Sequence, residues 1–243
     1  MRLGFLGTGT IAAAVVEGLA VDGHDIMVSQ RSAAHSARLA AAYECVEVGD
    51  NQRVLDSSDV IFLGLMAEAA PDILSSLQFR SDQQVISFMA GADMAQLADL
   101  VAPATAAAIM VPFPGIAQGG SPVMMLGDVD LVTGLFGPRN TVYALASEDE
   151  LAGYICAQAV LSPAVKMVAE AAQWLGERVQ DTEQGEGFLR HLVGSSLLGS
   201  DCAPLLTALN TPGGYNQRLR QHMEESGMGA SLQQGLDGLF SDG

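Results

Sequence analysis

Basic residues are scarce in this chain: Lys and Arg together number 11 against 28 Asp and Glu, a formal net charge of −17 over 243 residues. So acidic a protein has no basic face with which to neutralise a nucleic-acid backbone or an anionic membrane, and neither partner is expected. An anionic ligand would have to be met by local backbone N–H groups or a placed arginine, because the global field repels it. Cysteine is equally thin. Cys45, Cys156 and Cys202 are odd in number and scattered, which suits buried thiols in a reducing cytoplasm rather than a disulfide framework. His24, His35, His191 and His222 lack ligand spacing, so no metal is expected. No uninterrupted apolar run of about 18 residues occurs, and no membrane-spanning helix is expected.

What is present is apolar residue in quantity, 49% against 16% charged, the composition of a folded protein with one large or two modest domains. The chain opens "MRLGFLGTGTIAAAVVEGLA", which can be read as a secretory signal or as a strand turning into a helix. Glu17 interrupts the apolar segment and a second apolar run, Ile26-Met27-Val28, follows directly. Export is the weaker reading.

Gly7-Thr8-Gly9-Thr10-Ile11-Ala12 is G-x-G-x-x-A between a strand-like run and a helix-like run. In that setting Gly7 permits the tight turn, Gly9 leaves room for a pyrophosphate against the backbone, and Ala12 lets helix and strand pack closely. The alternative is an ordinary strand-helix turn; position favours dinucleotide binding. A pocket for the ribose of NAD places an acidic residue about 20 residues past the glycines, but here stand Ser29, Gln30, Arg31 and Ser32. Arg31 can pair with a 2′-phosphate and the hydroxyls of Ser29 and Ser32 can donate to it, so NADP (NADPH) is expected, with NAD possible.

Strand and helix then alternate. "DVIFLGL" at 59–65, "QVISFMAG" at 84–91 and "AAAIMVPFP" at 106–114 read as strands, with helices near 33–42, 51–56, 68–77 and 93–101, and "SPVMMLG" and "NTVYALA" extend the sheet. The fold class expected is α/β: a Rossmann-type doubly wound sheet over 1–147, then an all-helical domain over 148–243. Glu148, Asp149 and Glu150 open that half as a helix start favoured by its dipole. Met167, Trp174 and Leu175 recur at helical spacing, the pattern of a packed core. "LNTPGGYNQRL" places Pro212, Gly213 and Gly214 before another helix. Its N–H groups can hold a carboxylate, or the turn is only a connector.

Taken in order, these segments resemble the pyrroline-5-carboxylate reductase family along nearly the whole chain. Gly4 to Ala12 matches its GFxGxGxxA, "VSQRS" its V-S-N-R-S, "DNQRV" its D-N-x-x-V, and "TPGGYN" echoes its S-P-G-G-x-T. "SDVIFLGL", "VISFMAGADMAQL" and "LFGPRNTVYALASEDEL" fall in the family's order. The resemblance implies reduction of pyrroline-5-carboxylate to proline, or of a close analogue, by NADPH. It adds Asn51, Gly64, Leu65, Met66, Ala90, Gly91 and Pro112 to the cofactor-binding set that begins with Gly7, Thr8, Gly9, Thr10 and Ile11. It implies that Gly213, Gly214 and Tyr215 grip the substrate carboxylate, with Asn216 near the imine nitrogen as the catalytic contact. It also implies a homodimer or higher even oligomer whose C-terminal helices interlock and build the substrate pocket at their junction.

The departures fall where the chemistry should be. The family's M-P-N-T-P is Met110-Val111-Pro112-Phe113-Pro114, its V-K-P lysine is replaced at Met66-Ala67, the tyrosine after Ser-Pro-Ala is Val165, and the threonine of G-G-x-T is Asn216. Two other functions therefore stand beside the first: a reductase of the same fold acting on another imine or a keto or hydroxy acid, and a dinucleotide-binding protein without turnover.

Overall fold

The computed structural model describes residues 1–89 and 91–242. Its sheet begins at the N-terminus. β1 (Arg2–Leu6), β2 (Asp25–Ser29), β3 (Val46–Gly49), β4 (Val60–Leu63), β5 (Gln84–Ser87) and β6 (Thr105–Pro112) are separated by α1 (Thr10–Ala20), α2 (Ala33–Ala42), α3 (Asn51–Ser57), α4 (Ala70–Leu74) and α5 (Met94–Val101). β7 (Pro122–Gly127), α6 (Val129–Phe136) and β8 (Thr141–Ala144) complete the eight strands. α7 (Glu148–Ala157), α8 (Leu161–Gly176), α9 (Thr182–Gly199), α10 (Cys202–Ala208), α11 (Tyr215–Glu225) and α12 (Met228–Asp242) follow, with no further strand among the described residues.

The strand order is β3-β2-β1-β4-β5-β6-β7-β8. The first six are parallel, β7 runs antiparallel to β6, and β8 pairs parallel to β7. This is the doubly wound α/β sheet expected, with helices following. β1 is an interior strand between β2 and β4 and is buried from Leu3 onward, and Glu17 of α1 pairs with Arg38 of α2 at 2.7 Å. The opening residues are thus core of the sheet. Phe5 and Phe62 stack there at 4.5 Å between ring centroids.

Some elements escape the periodicity. β3 is four residues of V-E-V-G, too short to establish alternation. α6 hides behind β-branched residues and a glycine, although Asp128 caps it by accepting from Leu131 N–H at 2.9 Å. At the start of α7, Ser147 Oγ accepts from Glu150 N–H at 3.2 Å while Glu150 accepts from Ala146 N–H at 2.6 Å, and Glu148 accepts from Met94 N–H at 3.0 Å. The acidic triplet caps α7 through Glu150 and α5 through Glu148 as well as favouring the helix dipole.

Two compact units result, Met1–Leu151 and Ala152–Gly243. The first holds a core on both faces of its sheet. In the second, no described residue is buried. Trp174 and Met167 are 60% and 46% exposed, so they are not a core within this chain. One continuous helical run, Glu148–Gly176, is by length and composition alone long and apolar enough to cross a membrane. That corrects the expectation of none: Gln158, Ser162 and Lys166 break the apolar run in the sequence without breaking the helix.

Candidate functional site

Parallel sheets bind ligands at the carboxyl ends of their strands where the strand order reverses. Here that point lies between β1 and β4, and a glycine follows each strand directly, Gly7 after Leu6 and Gly64 after Leu63. Gly7 has φ +86°, a left-handed conformation that L side chains resist. A Cβ at Gly7 would sit 2.4 Å from the carbonyl oxygen of Gly64, and one at Gly64 would sit 2.6 Å from that of Gly7. Backbone crowding therefore demands both glycines.

Gly9 is different. It is the N-cap of α1 with φ −74°, a conformation open to any residue, and an added Cβ would meet no atom within 4 Å. The space is what its glycine leaves free. No side chain caps α1; Ala13 N–H reaches Gly9 O at 2.8 Å, and the amides of Thr10, Ile11 and Ala12 have no acceptor among the described residues. These donors, with the positive end of the helix dipole, suit an anion such as a pyrophosphate. A cavity of about 360 Å³ opens beside them, lined by Gly9, Thr10, Ile11, Gly64, Leu65 and Phe88 among others. The residues present thus fit a dinucleotide phosphate.

Of the other expected residues, Pro112 is buried and lines this cavity. Phe88 and Val111, also in its wall, were not foreseen; their signal is their place at the ends of β5 and β6, next to the reversal of strand order. Met66 is 74% exposed just beyond the cavity wall. Asn51 is the first residue of α3, half-buried. Gly91 is exposed with φ +74°, and Ala90 lies outside the described residues. Phe113, in place of the family's asparagine, is half-buried against the core.

At the end of β2, Arg31 is exposed and forms no ion pair among the described residues. Ser32 is the N-cap of α2 with no cap bond from its side chain. Both are free to meet a phosphate. Ser29 and Thr8 are not: each is 0% exposed. Ser29 Oγ accepts from Gly7 N–H at 2.9 Å, and Thr8 Oγ1 donates to Ser29 O at 3.1 Å. The expectation that they touch the cofactor is corrected, because their polar atoms are spent on each other and on the turn.

In the second unit, Gly213 has φ +74° and Gly214 is the N-cap of α11. Gly213 N–H donates to Gln217 Oε1 at 2.8 Å and Gly214 N–H to Thr211 O at 2.9 Å. Two of the three amides expected to hold a carboxylate are therefore already bonded within the turn. The amides of Tyr215, Asn216 and Gln217 have no acceptor among the described residues, which moves the open donors two residues along. Tyr215 is 88% exposed, and Asn216 is exposed beside it. No cluster of metal ligands occurs among the described residues.

Comparison with known proteins bears on this geometry. Residues 2–91 match the family model described as NADP oxidoreductase coenzyme F420-dependent. No curated protein matches the chain. Among solved structures, 1-pyrroline-5-carboxylate reductase from Streptococcus pyogenes superposes with a TM-score of 0.85 at 18% identity, covering 100% of this chain and 97% of that one. Pyrroline carboxylate reductase from Plasmodium falciparum, with NADP bound, gives 0.82 at 13% identity, over 100% and 96%. A reductive aminase from Aspergillus terreus in complex with NADPH and ethyl-5-oxohexanoate gives 0.60 at 14%, over 81% and 75%. The chain has the fold of the pyrroline-5-carboxylate reductases from end to end, and the resemblance read in its motifs extends to its architecture.

Proposed function

We propose that the protein is an NADPH-dependent reductase of a cyclic imine bearing a carboxylate, pyrroline-5-carboxylate or a close analogue. The observation that carries this reading is the uncapped start of α1 behind Gly9, opening on a cavity at the reversal of strand order. Pyrroline-5-carboxylate reductases, one of them with NADP bound, and a reductive aminase in complex with NADPH share the fold, which supports it.

NADPH, when bound, supplies hydride to the carbon of the C=N bond. The chain's own task is to bind and orient. The amides of Thr10 to Ala12 hold the pyrophosphate, and Arg31 with Ser32 reads the 2′-phosphate, which favours NADPH over NADH. A cyclic imine is already a good electrophile once its nitrogen is protonated, so the protein need supply little acid catalysis. The amides of Tyr215 to Gln217 hold the substrate carboxylate where the net charge of −17 would otherwise repel it, and the Asn216 amide group hydrogen-bonds near the nitrogen.

The working unit in this reading is a homodimer. A helical unit in which no described residue is buried lacks a core of its own, and apolar faces this extensive mark an interface. α8 and α12 present a groove of about 490 Å³ lined by Met167, Leu232, Leu236 and Leu239 among others. A second copy, offering the same helices, is its occupant.

Purified protein incubated with NADPH and pyrroline-5-carboxylate, beside a panel of other imines and keto acids, tests the reading. Consumption of NADPH confined to cyclic imine carboxylates is expected. Turnover with keto acids alone, or with nothing, contradicts it. A variant Asn216→Ala that turns over at the wild-type rate removes that side chain from the mechanism and leaves the backbone donors in place.

A further inference from the structure

We propose that Ser29 is a positioning residue for the dinucleotide, holding the phosphate-binding turn without touching the ligand. This rests on the reductase reading of that turn. β1 and β2 pair in register as far as Phe5 and Val28. Beyond that point the chain leaves the sheet at Gly7, where φ is +86°, and ladder bonding to β2 cannot continue through the backbone alone. Both hydrogen bonds recorded for Gly7 and Thr8 end on Ser29: Gly7 N–H to Ser29 Oγ at 2.9 Å, and Thr8 Oγ1 to Ser29 O at 3.1 Å. Ser29 and Thr8 are fully buried, so neither can face a cofactor.

The next residues explain why the contact matters. Gln30 N–H is tied to Gly49 O at 3.1 Å, and Arg31 and Ser32 follow immediately. One buried residue is thus bonded on one side to the turn that seats the pyrophosphate, while the chain on its other side carries the group that reads the ribose phosphate. Fixing both in one frame aims the amides of Thr10 to Ala12 at a single place.

A positioning role and a direct contact give opposite signatures. If Ser29 contacted the 2′-phosphate, its removal would weaken NADPH and leave NADH untouched; acting through Gly7, it affects any dinucleotide alike. The test is the Kd of NADPH and NADH, from nucleotide fluorescence, for wild type, Ser29→Ala, Thr8→Val and Arg31→Ala, at temperatures well below each Tm. For Ser29→Ala both Kd values are expected to rise by a similar factor, about tenfold, and the Gly7 amide to exchange hydrogen faster in the nucleotide-free protein. For Arg31→Ala only NADPH should weaken. Thr8→Val keeps the shape and removes the second bond, and carries the same prediction with a smaller rise should Ser29→Ala fail to fold. Loss of NADPH affinity alone in Ser29→Ala, or unchanged affinity for both nucleotides, overturns the proposal. Failure of wild type to bind either nucleotide overturns the reductase reading itself, and shows before any variant is compared.

Discussion

Phe5 and Phe62 are fully buried and stacked inside the sheet, whereas Trp174 and Leu198, large apolar residues of the helical unit, are 60% and 92% exposed. The two units are built from similar material and differ in where they hide it. The sheet closes a core on each face with its own helices. The helices after Leu151 close none. A single chain can therefore account for the stability of the first unit, while in the homodimer proposed above a partner surface would offset the entropy of ordering the helical one.

The sharpest way to break this contrast is to charge the helical groove. Met167→Asp with Leu239→Asp is expected to convert a dimer to a monomer in sedimentation and to abolish imine reduction, while NADPH still binds. Surface substitutions on a free monomer would cost within about 0.5 kcal/mol, so an unchanged mass and activity would show that a second copy does not cover those residues.

Next in size is the difference between two neighbouring glycines. Gly7→Ala forces a side chain into a left-handed conformation and against Gly64 O, and should cost about 3 kcal/mol of stability or more. Gly9→Ala should leave Tm unchanged and raise the Kd for NADPH at least tenfold, roughly, because its Cβ enters only the space reserved for the ligand. Thermal melting and nucleotide titration of the pair separate the two roles. Arg31→Ala comes third, with NADPH affinity down by about tenfold to a hundredfold and NADH affinity unaltered.

The smallest effect lies at the exposed N-terminal ends of β1 and β4. Arg2 donates to Asp59 at 3.0 Å through Nε, and this hydrogen bond, foremost, holds the Asp59 carboxyl below its usual range. A carboxyl depressed in the folded state contributes stability above its unfolded pKa and loses it as pH falls. Both side chains are well exposed, so Asp59→Asn should lower Tm by no more than about 3 °C at neutral pH. The difference from wild type should shrink as pH drops below about 4.

Legibility followed the same divide. The glycine turn could be read because strand, turn and helix are local: Gly7 and Ala12 answer steric needs of the turn, and Gly9 leaves open the space beside it. The fates of Ser29 and Thr8 could not: a hydroxyl at the end of β2 looks like a ligand donor until the parallel pairing of β1 and β2 brings Gly7 N–H to it. Phe88 and Val111 enter the cavity wall only through strand order, which periodicity does not carry. At Gly213 and Gly214 the sequence announced free amides, but Gln217 folds back onto one and Thr211 takes the other. Burial in the helical unit was unreadable for a different reason, since Met167 and Trp174 have the spacing of a core whether the facing surface belongs to the same chain or another.

Calorimetric titration of NADPH into wild type and into Gly9→Val tests the central claim most directly. Saturable binding at one site per chain is predicted for wild type, lost in the variant with its Tm preserved. Equal affinity in the two proteins, or none in wild type, would contradict the assignment of the turn behind Gly9 as the seat of the dinucleotide.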